Sequence, residues 1–171
     1  FGIDRESGIA VVDLGPDAAA SLAHFCMVAS AGPLRATLRV VALNVGLEPQ
    51  PLQTLLVSTR SQSRLQTAMR QLYDLQVPIV CVASGLTAGL GLSTFLCADY
   101  RIAEEGTTLC FDLSNRWQLH LLMRPADRRA LQAERGLVPA KAARQLGLLS
   151  ELCPQAGPWP KRASQRATAF A

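Results

Sequence analysis

Residues 77–103, VPIVCVASGLTAGLGLSTFLCADYRIA, constrain the fold more than any other stretch of the chain. Pro78 opens the apolar, β-branched run Ile79, Val80, Cys81, Val82, which is short enough for a buried strand, and Ser84-Gly85 marks its end. Three glycines follow, Gly85, Gly89 and Gly91. From Leu90 to about Cys97 the residues are apolar almost all round, which predicts a helix buried on every side. The first turn of such a helix points free backbone N–H groups at whatever sits above the strand end, a ready place for an oxyanion or a carbonyl oxygen.

The flanking sequence supplies more strands and helices in alternation. Residues 8–14 (GIAVVDL) predict a first strand, and Asp17 is a candidate N-cap for a helix over 18–30 whose buried face is Leu22, Phe25, Cys26 and Ala29. His24 falls on the opposite face, where a solvated histidine is the expectation. Ala31-Gly32-Pro33 breaks that helix, and residues 38–45 (LRVVALNV) predict a second strand ended by Gly46. Pro49 and Pro51 interrupt the next segment, but by Arg64 a helix is established. Its stripe of Leu65, Ala68, Met69, Leu72 and Tyr73 predicts core residues, with Arg60, Arg64 and Arg70 solvated.

Beyond residue 103, Glu104-Glu105-Gly106 predicts a tight turn and residues 107–111 (TTLCF) another strand. Residues 117–123 form a short apolar patch containing Trp117 and His120, the latter expected packed or half exposed. A charged helix over 126–135 stops at Gly136, and a second starts at Pro139 and is capped by Gly147. From Pro154 the chain loses periodicity and becomes Pro-, Arg- and Ser-rich. One domain over 1–153, with a tail or docking arm over 154–171, is the expected organisation, and the element order is α/β.

Composition excludes several classes. Seventeen basic against 13 acidic residues, scattered along the chain, give no nucleic-acid footprint. No apolar run reaches the roughly 20 residues that span a bilayer. The opening FGIDRESG has neither an initiator Met nor the regions of a signal peptide, so residues are expected to be missing at the front. Five cysteines, Cys26, Cys81, Cys97, Cys110 and Cys153, lack the paired spacing of zinc ligands. They predict small buried hydrophobes in a reducing, cytoplasmic setting, and no metal site. The spacing G-x-x-x-G-x-G is not a dinucleotide fingerprint, and Ser84 lacks the G-x-S-x-G of a nucleophile elbow.

Taken together, residues 77–103 resemble the signature segment of the crotonase (enoyl-CoA hydratase/isomerase) superfamily. The matching positions are Ser84-Gly85, Gly89-Leu90-Gly91, Asp99 and Arg101-Ile102-Ala103, with supporting matches over residues 38–46 and in AKAARQLGLLSEL, residues 140–152. The resemblance implies a crotonase-like ββα spiral, here with a reduced C-terminal helical region. It also implies a substrate that is an acyl thioester of coenzyme A or of a carrier-protein phosphopantetheine, with no separate cofactor. Two backbone N–H groups would stabilise an enolate at the thioester oxygen, one of them from Leu90. Gly85, Gly89, Gly91, Ser93 and Leu113 would line the substrate.

The chain departs from the pattern in ways that bear on chemistry. Leu90 replaces the middle glycine, which costs close approach and fills part of the pocket. The small-residue loop that supplies the other N–H is replaced by LEPQPLQ after Gly46. The positions of the two hydratase glutamates fall on Ser93 and near Leu113. Asp112 is the nearby substitute, or else a strand-end or N-cap carboxylate. Hydration needs groups that activate water and protonate carbon. The resemblance therefore leads to two readings. One is a decarboxylase or other lyase or isomerase that relies on the oxyanion site, with members serving polyketide β-branching as the nearest analogy. The other is a degenerate scaffold or docking module. Expected partners are an acyl-CoA or acyl carrier protein and further copies of the chain in a dimer or trimer.

Overall fold

The computed structural model describes residues 1–14, 18–31, 33–45, 59–111, 116–133, 136–154 and 168–169. In chain order the elements begin with β1 (Gly2–Asp4), β2 (Ile9–Asp13), α1 (Ala18–Ser30), α2 (Pro33–Thr37), β3 (Val40–Asn44) and α3 (Thr59–Asp74). The middle of the chain forms β4 (Ile79–Ala83), β5 (Leu86–Ala88), α4 (Gly89–Leu96), β6 (Tyr100–Glu104) and β7 (Thr108–Cys110). It closes with α5 (Arg116–Leu122), α6 (Pro125–Ala133), β8 (Leu137–Pro139), α7 (Ala140–Gln145) and β9 (Glu151–Cys153).

Two sheets result. The larger runs in the order β1-β2-β3-β4-β6-β9 and is parallel from β2 onward, with β1 antiparallel at its edge. The smaller runs β5-β7-β8, with β5 parallel and β8 antiparallel to β7. The α/β order and the parallel sheet agree with the sequence pattern, and the near-continuous apolar strands follow from burial of both faces. Alternate residues divide cleanly. Val41, Leu43 and Val45 of the third strand region, with Ile79, Cys81 and Ala83, face a main core shared with Leu22 and Phe25 of α1, Leu72 of α3 and Phe95 of α4. Val40, Ala42, Val80, Val82 and Ile102 face the other way into a second cluster. At the carboxyl end of that second face the Asn44 carboxamide donates to Asp13 Oδ1 across the β2–β3 pair at 2.9 Å.

Several expectations need correction. Tyr73 is not a core residue: it is 48% exposed, whereas Ala68, Met69 and Leu72 on the same stripe are buried. Tyr73 is the penultimate residue of α3, and its hydroxyl reaches out to Cys97 O. The turn over residues 84–91 contains a strand, β5, because Leu86–Ala88 finds a partner in β7. Helix α2 follows the predicted break at once, and β1, β8 and β9 are three-residue strands held by pairing, β1 and β9 to longer strands and β8 to the equally short β7. Cys97 and Cys110 are half-buried, unlike Cys26, Cys81 and Cys153. His24 is exposed as expected, with its ring edge-on to Phe1. Among the described residues, no helix is long and apolar enough to cross a membrane.

Candidate functional site

Helix α4 lies between β4 and β6, so its first turn sits at the carboxyl end of the parallel strands. In open α/β sheets that end is where ligands collect. Asn44 pairs with Val82 there, and the Val45 N–H donates to Val82 O at 3.0 Å, which brings the end of β3 alongside β4. The chain then passes through β5 directly into α4, and Ala88, the N-cap, pairs with Cys110 of β7. The N-cap Ala88 makes no side-chain hydrogen bond to the helix. With no partner one turn back, the first N–H groups, Leu90 among them, have no intrahelical acceptor.

Two of the glycines are dictated by backbone geometry. Gly85 at φ 61° and Gly89 at φ 52° lie in the left-handed region, which costs an L side chain about 1–2 kcal/mol. Gly91 is buried inside the helix. Leu90 is half-buried, with its side chain packed against the main core.

The carbonyls of this turn are engaged from behind. Thr107 Oγ1 donates to Ala83 O at 3.2 Å, Thr87 Oγ1 to Ser84 O at 3.5 Å and the Thr108 N–H to Gly85 O at 2.9 Å. Thr94 Oγ1 donates to Leu90 O at 2.9 Å. Thr87, Thr94 and Thr107 are all buried. With its acceptors occupied, the turn offers donors, and with the positive end of α4 it favours a negatively charged oxygen. Sequence reasoning missed these threonines. A polar β-branched residue within an apolar run was their only signal.

Of the predicted site residues, Gly85, Gly89, Leu90, Gly91 and Ser93 are brought together on this turn and helix. Ser93 is half-buried, and its carbonyl accepts from Gln118 Nε2 of α5 at 2.8 Å. Asp112 and Leu113 lie outside the described residues, as does the segment after Val45 that would carry a facing loop. The last described residue before that gap, Phe111, follows β7, whose Cys110 stands beside the N-cap of α4.

The other end of α4 is closed. The expected all-round burial fails along Leu90, Ser93 and Cys97, the half-buried stripe that α5 approaches through Gln118. Buried Gln118 also donates to Cys97 Sγ at 3.2 Å. Tyr73 Oη donates to Cys97 O at 2.8 Å, and Arg101 donates through Nη1 to Ala98 O at 2.7 Å and through Nε to Leu148 O at 2.8 Å. Asp99 Oδ2 accepts the Ile79 N–H at 2.9 Å. Asp99 and Arg101, the most recognisable letters of the segment, thus join the amino ends of β4 and β6 to α4 and stand away from the donor turn. Burial lowers the Arg101 guanidinium below its ordinary value, against the pull of Asp99. Burial likewise raises the Tyr73 phenol, with Cys97 adding to the effect.

Two open cavities flank this closed end. One of about 470 Å³ is lined by Tyr73, Pro78, Asp99 and Tyr100 among others. The other, of about 450 Å³, is lined by Tyr73, Cys97, Arg101, Gln118 and Leu121 among others. Neither touches the turn over residues 85–91. Among the described residues, no group of three or more His, Cys, Asp or Glu could hold a metal ion.

No family model and no curated protein matches the sequence. Solved structures match the fold closely. An enoyl-CoA hydratase/isomerase family protein from Silicibacter pomeroyi superposes with a TM-score of 0.72 at 16% identity, covering 99% of this chain and 82% of that one. ThnE from S. clavuligerus gives 0.72 at 19%, covering 99% and 83%. An enoyl-CoA hydratase/isomerase from Pseudoalteromonas atlantica T6c gives 0.72 at 16%, covering 99% and 75%. The chain has the crotonase fold, as the resemblance of residues 77–103 implies.

Proposed function

We propose that the protein binds an acyl thioester, of coenzyme A or of a carrier-protein phosphopantetheine, with the thioester oxygen on the donor turn at the start of α4. One observation carries this reading: an N-terminus whose N-cap, Ala88, makes no side-chain bond, at the carboxyl end of a parallel sheet, in a turn where the carbonyls of Ala83, Ser84 and Leu90 accept from threonine hydroxyls. The crotonase fold supports the acyl-thioester class. Ser93 and Leu113, where the hydratase glutamates would stand, favour a reaction that needs no base.

Decarboxylation of a β-carboxyacyl or glutaconyl-type thioester meets that condition. The bond to the carboxylate breaks, its electron pair passes to the thioester oxygen as an enolate, carbon dioxide leaves, and the α-carbon takes a proton from water. The Leu90 N–H, with the helix start behind it, would stabilise the enolate charge, and one such donor is worth about 3–4 kcal/mol in related chemistry. Asp112, next in sequence to the second glutamate position near Leu113, would relay that proton from water.

Incubation of the full chain with malonyl-CoA and with glutaconyl-CoA tests this by mass spectrometry. The expected result is loss of carbon dioxide from one of them. If neither is turned over and no acyl-CoA or acyl-pantetheine is retained, the decarboxylase reading falls. A scaffold or docking role within a biosynthetic assembly, which the leucine at position 90 favours, would then replace it.

A further inference from the structure

We infer that Thr107 is a positioning residue for the donor turn, an inference that rests on the reading of that turn as a thioester-oxygen site. Thr107 is 1% exposed and bonded in three directions. Its N–H donates to Glu104 O at 2.9 Å, closing the turn after β6. Its carbonyl accepts the Ala140 N–H at 2.8 Å, at the start of α7. Its hydroxyl donates to Ala83 O, the last residue of β4, at 3.2 Å. The next residue, Thr108, donates its N–H to Gly85 O at 2.9 Å.

Residues 107 and 108 therefore hold the chain on both sides of Ser84, where it leaves the large sheet and enters the turn. An oxyanion donor works only within a narrow distance range, and its advantage lies in not having to reorganise when charge develops. Fixing Ala83 and Gly85 fixes the origin of the path that reaches Leu90 through β5, three residues long and paired to the same strand that Thr107 precedes. Burial permits several small residues at position 107, but only a hydroxyl reaches Ala83 O. Thr107 touches no reacting atom in this account and acts through the backbone it holds.

The test compares Thr107→Val, which keeps the shape and removes the donor, with Thr107→Ser, which keeps the donor. Two quantities are read in the full-length chain: hydrogen exchange over residues 84–91, and the infrared carbonyl band of bound butyryl-CoA labelled with ¹³C at the thioester carbon. Thr107→Val is expected to raise exchange over 84–91, to reduce the red shift of the band and to weaken butyryl-CoA binding about three- to tenfold. Thr107→Ser should restore all three. Unchanged exchange and an unchanged band in folded Thr107→Val would overturn the inference while leaving the site reading intact. If the wild-type protein binds butyryl-CoA with no shift of its band, or does not bind it, the site reading fails, and Thr107 is then a structural residue whatever its effect on exchange.

Discussion

The two ends of α4 are treated in opposite ways. At its C-terminus, five successive or nearly successive carbonyls have partners: Ser93 from Gln118, Thr94 and Phe95 from the backbone N–H groups of Cys97 and Ala98, Cys97 from Tyr73, and Ala98 from Arg101. Side chains of α3, α5 and β6 converge to supply them. At the N-terminus the N-cap Ala88 makes no side-chain bond to the helix, and among the described residues the threonines nearby donate to carbonyls. Both ends of a buried helix carry orphan groups of equal number. Satisfying one set from within, while the N-cap gives the other no side-chain partner, leaves the start of the helix as the end with donors to offer. A turn in the left-handed region at Gly85 and Gly89 is the conformational cost of that arrangement.

Substitutions can probe this asymmetry, starting with the largest expected effect. Arg101→Leu strips the donor from Ala98 O and Leu148 O, and urea denaturation should register a loss of about 3 kcal/mol, with binding of a thioester affected only through stability. Gly89→Ala places a side chain at φ 52°. A penalty of about 1–2 kcal/mol should appear in the same denaturation assay, and as up to tenfold weaker butyryl-CoA binding by calorimetry where the free turn relaxes and must return to the left-handed region on binding. Gln118→Leu removes the donor to Ser93 O, and about 1–2 kcal/mol of stability should go with it in the same denaturation assay. For Tyr73→Phe the expected cost is smaller, about 1 kcal/mol, because the ring is half exposed and water can replace the hydroxyl.

The last effect is a pH dependence, absent at neutral pH and emerging only in alkali. Burial raises the Cys26 thiol from 9.0 to about 11. The unfolded chain gives up that proton first. The stability this group contributes is therefore complete below about pH 9 and is lost as pH climbs to about 11. In thermal melts over that window, Cys26→Ala should flatten the alkaline decline on top of a pH-independent loss, since Cys26 is fully buried and its Sγ no longer donates to Ala68 O.

Much of the fold could be read from residue pattern because the strands are buried on both faces and the helices carry regular stripes. The runs at residues 8–14, 38–45 and 79–83, and the face Leu22, Phe25, Cys26 and Ala29, all fall where burial requires them. The three-residue strands β1, β5, β8 and β9 escaped notice because pairing, not propensity, creates them; Pro139 ends one of them. Periodicity reports which face of a helix a residue is on, not how far that face is covered, so Tyr73 shares the stripe of Leu72 and is still 48% exposed. The donor turn was legible from its glycines. What holds it was not, because a threonine hydroxyl meets Ala83 O from 24 residues away and leaves no local trace. Asp99 and Arg101 stood out in the sequence for a structural duty, joining strand starts to the closed end of the helix.

Amide chemical shifts followed by ¹⁵N NMR during titration with butyryl-CoA test the central contrast most directly. If the start of α4 is the binding end and its C-terminus is internally satisfied, the Leu90 and Gly91 amides should move, Leu90 downfield, while the amides of residues 96–101 stay in place. Shifts concentrated at residues 96–101, around the cavities beside Tyr73 and Arg101, with Leu90 unmoved, would contradict it.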